Sequence, residues 1–447
     1  METIRVPENQ EMSWDALRAA YPDFVFRATN LNWTEQELIL EWHFVVPGLT
    51  EFRPTLRLPR AGMCFGPDSE PEEQTAIYEL AVAVGMVELI SYWKATASPR
   101  VHLPLNIPAV GEELDFWLNL YRDGMGEYFY LNNIPVYGLS FMEPVALAEE
   151  FAAADVAVTR SVGEAGDATA EPDIGVARDA ATVRNRLLLP LGGGKDSLVS
   201  LAVARRTDKE IVPFAINPQP ATLEAVAAAG LAPEECIFVR RSLDQRLLRL
   251  NELGFLNGHT PFSALVALTA RMVAYLYGLR DIALSNEASA NEPTVDLPAA
   301  DGRPINHQYS KTLEFEQAVA EYFARNQLFE REVRYFSLLR PYSELAIARV
   351  FAELTDYHHI FRSCNRGSKD NIWCGHCAKC LFVSLIMLPW LGREKVAAMI
   401  GRDLIEAEDM VPILAELLGV TPSKPFECVG TRVECYLALE LTRAEYG

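Results

Sequence analysis

Apolar and polar positions alternate along two short stretches near the start of the chain. Residues 24–28 predict one strand and 37–46 a second, with Leu38, Leu40, Trp42, Phe44 and Val46 on one face. The polar cluster at 30–34 reads as the turn between them. The period then becomes helical: over 72–94, Ile77, Leu80, Val84, Val87 and Ile90 form one stripe, and a second helix is predicted over 113–121, stopped by Gly124. Together these elements predict an α+β domain over residues 1–150. Residues 152–181 carry almost no large apolar side chain, so 151–182 is read as a linker. Beyond it, strands at 187–191, 210–216, 236–240 and 281–284 are interspersed with helices at 221–229 and 262–277, and a helical tail follows at 393–418. This succession predicts an α/β fold for 183–447, a doubly wound parallel sheet with ligands beyond the carboxyl ends of its strands.

The densest chemistry lies at the first corner of that sheet. Residues 187–191 are continuously apolar, as in a strand buried on both faces, while Leu198, Leu201 and Ala202 recur at helical spacing. Between them stand Gly192, Gly193, Gly194, Lys195, Asp196 and Ser197. Glycines at a strand-to-helix corner let backbone N–H groups close on an anion, and the helix start adds unpaired donors and the positive end of a dipole. Lys195 adds charge and Ser197 a hydroxyl. A carboxylate repels phosphate unless it faces a cation, so Asp196 implies a Mg²⁺ shared with the phosphates. The plain alternative is an ordinary glycine-rich turn. The spacing is not that of a Walker loop. It resembles the S-G-G-x-D-S loop of the ATP pyrophosphatases, with Gly192 where that family has Ser. The resemblance implies ATP cleavage to AMP and pyrophosphate, usually to adenylate a carboxylate or a carbonyl oxygen. Asn217, at the corner after the second strand, is then a place for the adenine.

Composition narrows the substrate. Half of the 447 residues are hydrophobic and the formal charge is −21, a balance that disfavours nucleic acid and favours a small molecule. The first ten residues hold no apolar signal core, and the apolar run 381–391 is broken by Pro389 and too short to span a bilayer. The expectation is a cytoplasmic protein without a membrane partner. Oligomeric state has no signature here.

Two further segments carry candidate chemistry. The polar stretch 285–293 follows a predicted strand directly and leads to 304–311. Glu287, Glu292, His307 and Lys311 are candidate acids and bases there, and Asn286, Asn291 and Tyr309 candidate substrate contacts; a solvated loop is the alternative. His259 could touch a ligand, and Thr260 either joins it or caps the helix that follows. Cys364, Cys374, Cys377 and Cys380 have a spacing at which four thiolates meet one tetrahedral ion. Zinc is the first choice, with an iron–sulfur cluster or free buried thiols as alternatives. Cys428, in the turn 424–430, is either core or catalytic.

Taken jointly, residues 192–197, 258–261, 285–292, 306–311, the four cysteines and 424–430 resemble the MurL family of ATP-dependent epimerases. That family inverts the terminal L-Glu of UDP-N-acetylmuramoyl-L-alanyl-L-glutamate in peptidoglycan synthesis. The resemblance implies ATP, Mg²⁺ and a UDP-muramoyl dipeptide, and it covers most of the chain; the four-cysteine arrangement also resembles the structural zinc site of the pyrophosphatase relatives that make the nitrile of deazapurines. The loop by itself supports only ATP-driven activation, so a carboxylate-adenylating ligase or a deazapurine nitrile-forming synthase-like enzyme, and a nucleotide-sensing protein, stay open.

Overall fold

The computed structural model describes residues 4, 10–104, 107, 111–135, 140–151, 185–295, 304–325 and 333–446. The linker expected at 151–182 lies almost wholly outside them. The chain forms two compact units that interleave in sequence: Met1–Arg184, Val239–Arg280 and Glu321–Val333 make the first, and Asn185–Phe238, Asp281–Ala320 and Arg334–Gly447 the second.

In the first unit, strand Asp23–Trp33 pairs antiparallel with Glu37–Val46, which pairs antiparallel with Thr55–Pro59. The 30–34 cluster is therefore not all turn. Leu31 lies opposite Leu40 and Trp33 opposite Leu38, so alternation carries the strand on, and the chain reverses at Thr34, whose Oγ1 accepts from the N–H groups of Gln36 and Glu37. Strands Arg100–Leu103 and Glu143–Ala146 extend this sheet in parallel. The predicted third strand runs two residues further, over Ile237–Ser242, and its end, Arg240 to Ser242, pairs antiparallel with residues 55–57. Helix Pro71–Trp93 lies on that sheet, with the Trp42 indole N–H donating to Ala81 O at 2.9 Å. A Cβ on Gly85 would fall 2.5 Å from the same indole, so only glycine permits this approach. This helix is long and apolar enough to cross a membrane, but 83% of its apolar window is buried inside the protein. Helix Phe262–Leu276, buried along most of its length, packs against it.

The second unit is the parallel one. Strands Arg334–Ser337, Asp281–Leu284, Arg186–Pro190 and Glu210–Ile216 lie side by side in that order, all parallel. The earliest strand in sequence is thus central: the next, Glu210–Ile216, lies on one side of it, and Asp281–Leu284 on the other. The carboxyl end of Arg186–Pro190 is a topological switch point, the place where open α/β sheets bind ligands, and Gly192–Ser197 follows it. The expected tail is two helices, Arg393–Ile400 and Val411–Leu417, because the chain turns left-handed at Gly401. Helix Ala378–Leu391 runs through the core of this unit.

Candidate active site

Backbone geometry leaves a row of donors at the glycine loop. Gly194 is the N-cap of helix Lys195–Ala204 and, among the described residues, the N–H groups of Gly192 to Ser197 find no backbone acceptor. Gly193 has φ 76°, and a Cβ there would lie 2.8 Å from the backbone of Ala221 and Thr222. At Gly192 a Cβ would meet nothing within 4 Å. Gly193→Ala is therefore expected to lose about 1–3 kcal/mol, whereas Gly192→Ala stays within about 0.5 kcal/mol of the parent in urea unfolding. Equal losses at both positions would contradict this account of the loop.

Lys195 does not reach outward. Its side chain is 1% exposed and its ammonium lies between the carboxylates of Asp196 and Glu344. Burial opposes its charge, but those two carboxylates outweigh burial and raise its pKa above the usual lysine range. Glu344, also 1% exposed, is pushed up to about 7 by burial and by the like charge of Asp196, against the pull of Lys195. Its backbone N–H is held by Glu434 at 2.5 Å. Asp196, whose side chain is 28% exposed, keeps an open side for a cation. Burial works against its ionisation, yet Lys195, Lys379 and Lys311 hold its pKa below the ordinary value. Lys195 thus secures the loop's carboxylate, and the groups of the loop free to meet an anion are its backbone N–H groups. Ser197 donates its hydroxyl to Gly194 O at 2.9 Å.

A second cluster centres on Cys428. The Lys311 ammonium donates to its sulfur at 3.1 Å, His307 hydrogen-bonds it, and the buried Lys379 ammonium donates to its carbonyl oxygen. Burial raises the thiol's pKa, but Lys311, the hydrogen bond from His307 and Lys379 more than reverse this and bring it to about 6. Burial likewise opposes the charge on Lys311, and Cys428, Glu287 and Asp196 overcome it, so Lys311 stays an ammonium. Alkylation of Cys428 by iodoacetamide is expected to rise through pH 6 and level off by neutrality, followed by mass spectrometry of its peptide. A midpoint near that of a free thiol, about 8.5, would refute the thiolate.

Other residues singled out in the sequence have quieter places. Glu287 and Asn286 are buried just beyond strand Asp281–Leu284, and Arg340 donates to the Glu287 carbonyl at 2.9 Å. Glu292 is paired with Lys424 at 3.3 Å and accepts from the Arg432 N–H. Asn291 accepts from the Leu313 N–H at 2.8 Å, holding the start of helix Leu313–Arg325, and Tyr309 is buried edge-on against Phe315. Asn217 takes a left-handed turn at φ 50° after its strand. His259, 3.9 Å from Glu127, and Thr260 belong to the first unit. Thr260 does not cap the helix: Pro261 is the N-cap, without a side-chain bond, because the Phe262 N–H takes the Thr260 carbonyl instead. Sequence reasoning missed Glu344, Lys379, Lys424 and Gln308. Lys379 stands in full view inside Cys377-Ala-Lys-Cys380, while Glu344 carries no local signal beyond an acidic first turn.

The four cysteines do converge. Their sulfurs all lie within 4.8 Å of one another, with pairs at 3.5, 3.8 and 3.9 Å. Tetrahedral thiolates about 2.3 Å from a zinc ion would be separated by similar distances. Backbone N–H groups of Gly367 and Cys380 point at Cys364 and Cys377, as a shell orienting thiolates requires. The donor set fits a structural metal ion. Its surroundings join both clusters: Arg362 N–H donates to Gly193 O at 3.1 Å two residues before Cys364, and Lys379 lies between Cys377 and Cys380.

The chain matches the family model described as the MurL N-terminal domain over residues 16–338 and that of the MurL C-terminal domain over 360–446. It is similar to proteins named UDP-N-acetyl-alpha-D-muramoyl-L-alanyl-L-glutamate epimerase. The relative from a Micromonospora species is 33% identical over 94% of this chain and 86% of its own length. The Salinispora tropica relative is 34% identical over 95% and 85%, and that of Xanthomonas oryzae pv. oryzae 31% identical over 88% and 80%.

Proposed function

This chain belongs to the MurL family, and from that premise we propose that it uses ATP to convert the terminal L-glutamate of UDP-N-acetylmuramoyl-L-alanyl-L-glutamate to D-glutamate, a step of peptidoglycan synthesis. A free carboxylate resists loss of its α-proton, because the resulting dianion has nowhere to place its charge. Adenylation removes that obstacle by making the carboxyl a mixed anhydride with AMP, which carries no charge at the carbonyl. The single observation that supports ATP cleavage here is the row of N–H groups from Gly192 to Ser197 without a backbone acceptor among the described residues, at the switch point of the parallel sheet. Mg²⁺ bound at Asp196 would neutralise charge on the departing pyrophosphate. Cys364, Cys374, Cys377 and Cys380 would hold zinc in a structural role. As a soluble nucleotide-sugar peptide, the substrate makes the cytoplasm the compartment we propose.

The candidate bases sort by their surroundings. Lys311 remains an ammonium, suited to neutralising the negative charge that develops when the α-proton leaves. Glu292 is committed to Lys424. His307 and Glu287 are left to take and return the proton, and Asn286 to contact substrate. With ATP, Mg²⁺ and substrate in D₂O, the expected result is AMP, pyrophosphate and D-glutamate carrying deuterium at its α-carbon, read by chiral analysis and mass. L-glutamate as the sole enantiomer, alongside AMP, would refute the epimerase and favour a ligase.

A further inference from the structure

Cys428 is more than one of several proton carriers. The pull of nearby cations that makes it a thiolate also makes it a poor base toward carbon, while sulfur nucleophilicity falls only partly as pKa falls. Lys311 at 3.1 Å and Lys379 on the adjacent carbonyl hold the sulfur in place. The Glu427 carboxylate accepts from the Lys379 N–H at 2.7 Å, anchoring the same turn from the residue before. Lys311 and Lys379 also act on Asp196, so the sulfur and the glycine loop share one electropositive site. Beside Cys428, Gln308, 5% exposed, donates to the Val429 carbonyl at 3.3 Å, and its Oε1 is buried without a hydrogen-bond partner among the described residues. A buried acceptor of this kind suits a ligand N–H, such as the amide of a dipeptide.

We propose that Cys428 is a nucleophile that takes the activated glutamyl group from the adenylate as a thioester, and that the glutamate α-carbon is inverted while bound to sulfur. The inference rests on the ATP-dependent epimerase reading above. The Sγ electron pair attacks the acyl carbon, the bond from that carbon to the AMP oxygen breaks, and AMP leaves with the oxygen. As the attacking species is a thiolate, no proton needs removal. Sulfur donates weakly into the carbonyl, so the thioester's α-proton is acidic. His307 or Glu287 removes it, the Lys311 ammonium faces the developing enolate oxygen, and a proton returns to the opposite face. Water then attacks the acyl carbon, the bond from that carbon to sulfur breaks and the thiolate leaves, giving a D-carboxylate and two protons. A thioester outlasts an acyl phosphate in water, which allows time for inversion before hydrolysis. Low thiol pKa favours the final expulsion as well.

The test uses the full chain with ATP, Mg²⁺ and the UDP-muramoyl dipeptide labelled in its glutamate. Turnover samples are quenched in acid and digested, and the peptide containing Cys428 is weighed. An adduct of the substrate's mass on Cys428, released by neutral hydroxylamine as the hydroxamate, is expected, together with at least a 100-fold loss of α-deuterium incorporation in Cys428→Ala. An unmodified Cys428 peptide throughout turnover, or Cys428→Ala that still exchanges the α-proton, overturns the thioester. Either of those results with D-glutamate still formed leaves the epimerase reading intact. An adduct with only L-glutamate released would instead uphold the thioester and remove the epimerase.

Discussion

Lys195→Met should destabilise the protein by about 3–5 kcal/mol in urea unfolding, the usual cost of removing one partner from a buried ion pair. Its ammonium is the group that lets two carboxylates, one of them 1% exposed, share the space behind the glycine loop. Methionine fills most of the same volume, so the loss reports charge rather than a cavity. Lys195→Met with Glu344→Gln should recover part of it, because the neutral amide no longer needs a counterion. Were Lys195 a phosphate contact reaching into solvent, the single substitution would leave stability within about 0.5 kcal/mol and raise only the KM for ATP.

Cys377→Ser should remove both metal and ATP cleavage. Structural zinc sites carry apparent binding free energies of about 10–16 kcal/mol. Even half of that rivals the margin of about 5–15 kcal/mol that keeps a domain folded. Cys377 is also the N-cap of helix Ala378–Leu391, its sulfur accepting from the Cys380 N–H at 3.4 Å. Losing the site should free Arg362 from Gly193 and Lys379 from Cys428, so that the loop and the thiol fail together. Metal analysis of the purified protein and pyrophosphate release measure the two effects. A metal-free variant that cleaves ATP at the parental rate would contradict the coupling.

Strand Glu37–Val46 was legible because alternation survives wherever one face is buried, and Asp281–Leu284 because it is short, apolar and bounded by polar segments. The glycine loop and the four cysteines were legible because their chemistry is local in sequence. What eluded sequence reasoning was assembled at long range. Strand Arg334–Ser337 is four residues long and includes polar ends, too little for periodicity to register. Helix Arg432–Tyr446 shows large apolar groups to solvent, Val433, Tyr436, Leu437 and Leu441 among them, which blurs its amphipathic stripe. Glu344 meets Lys195 across 149 positions, a separation at which neither residue announces the other. Asn291 holds a helix start and Tyr309 packs on a ring, placements that their sequence neighbourhood does not reveal.

The interleaving of the two units bears on how the chain is made. The first unit draws on residues as late as Val333, and helix Pro71–Trp93 meets its packing partner only when Phe262–Leu276 exists. During synthesis a long apolar helix can settle on strands already made, but its other face must wait uncovered until residue 276 has emerged. A chain truncated at Arg184 would leave that face uncovered permanently. Such a truncation should bind chaperones or aggregate, and ribosome-bound chains should acquire protease resistance only after Leu276 has cleared the exit tunnel.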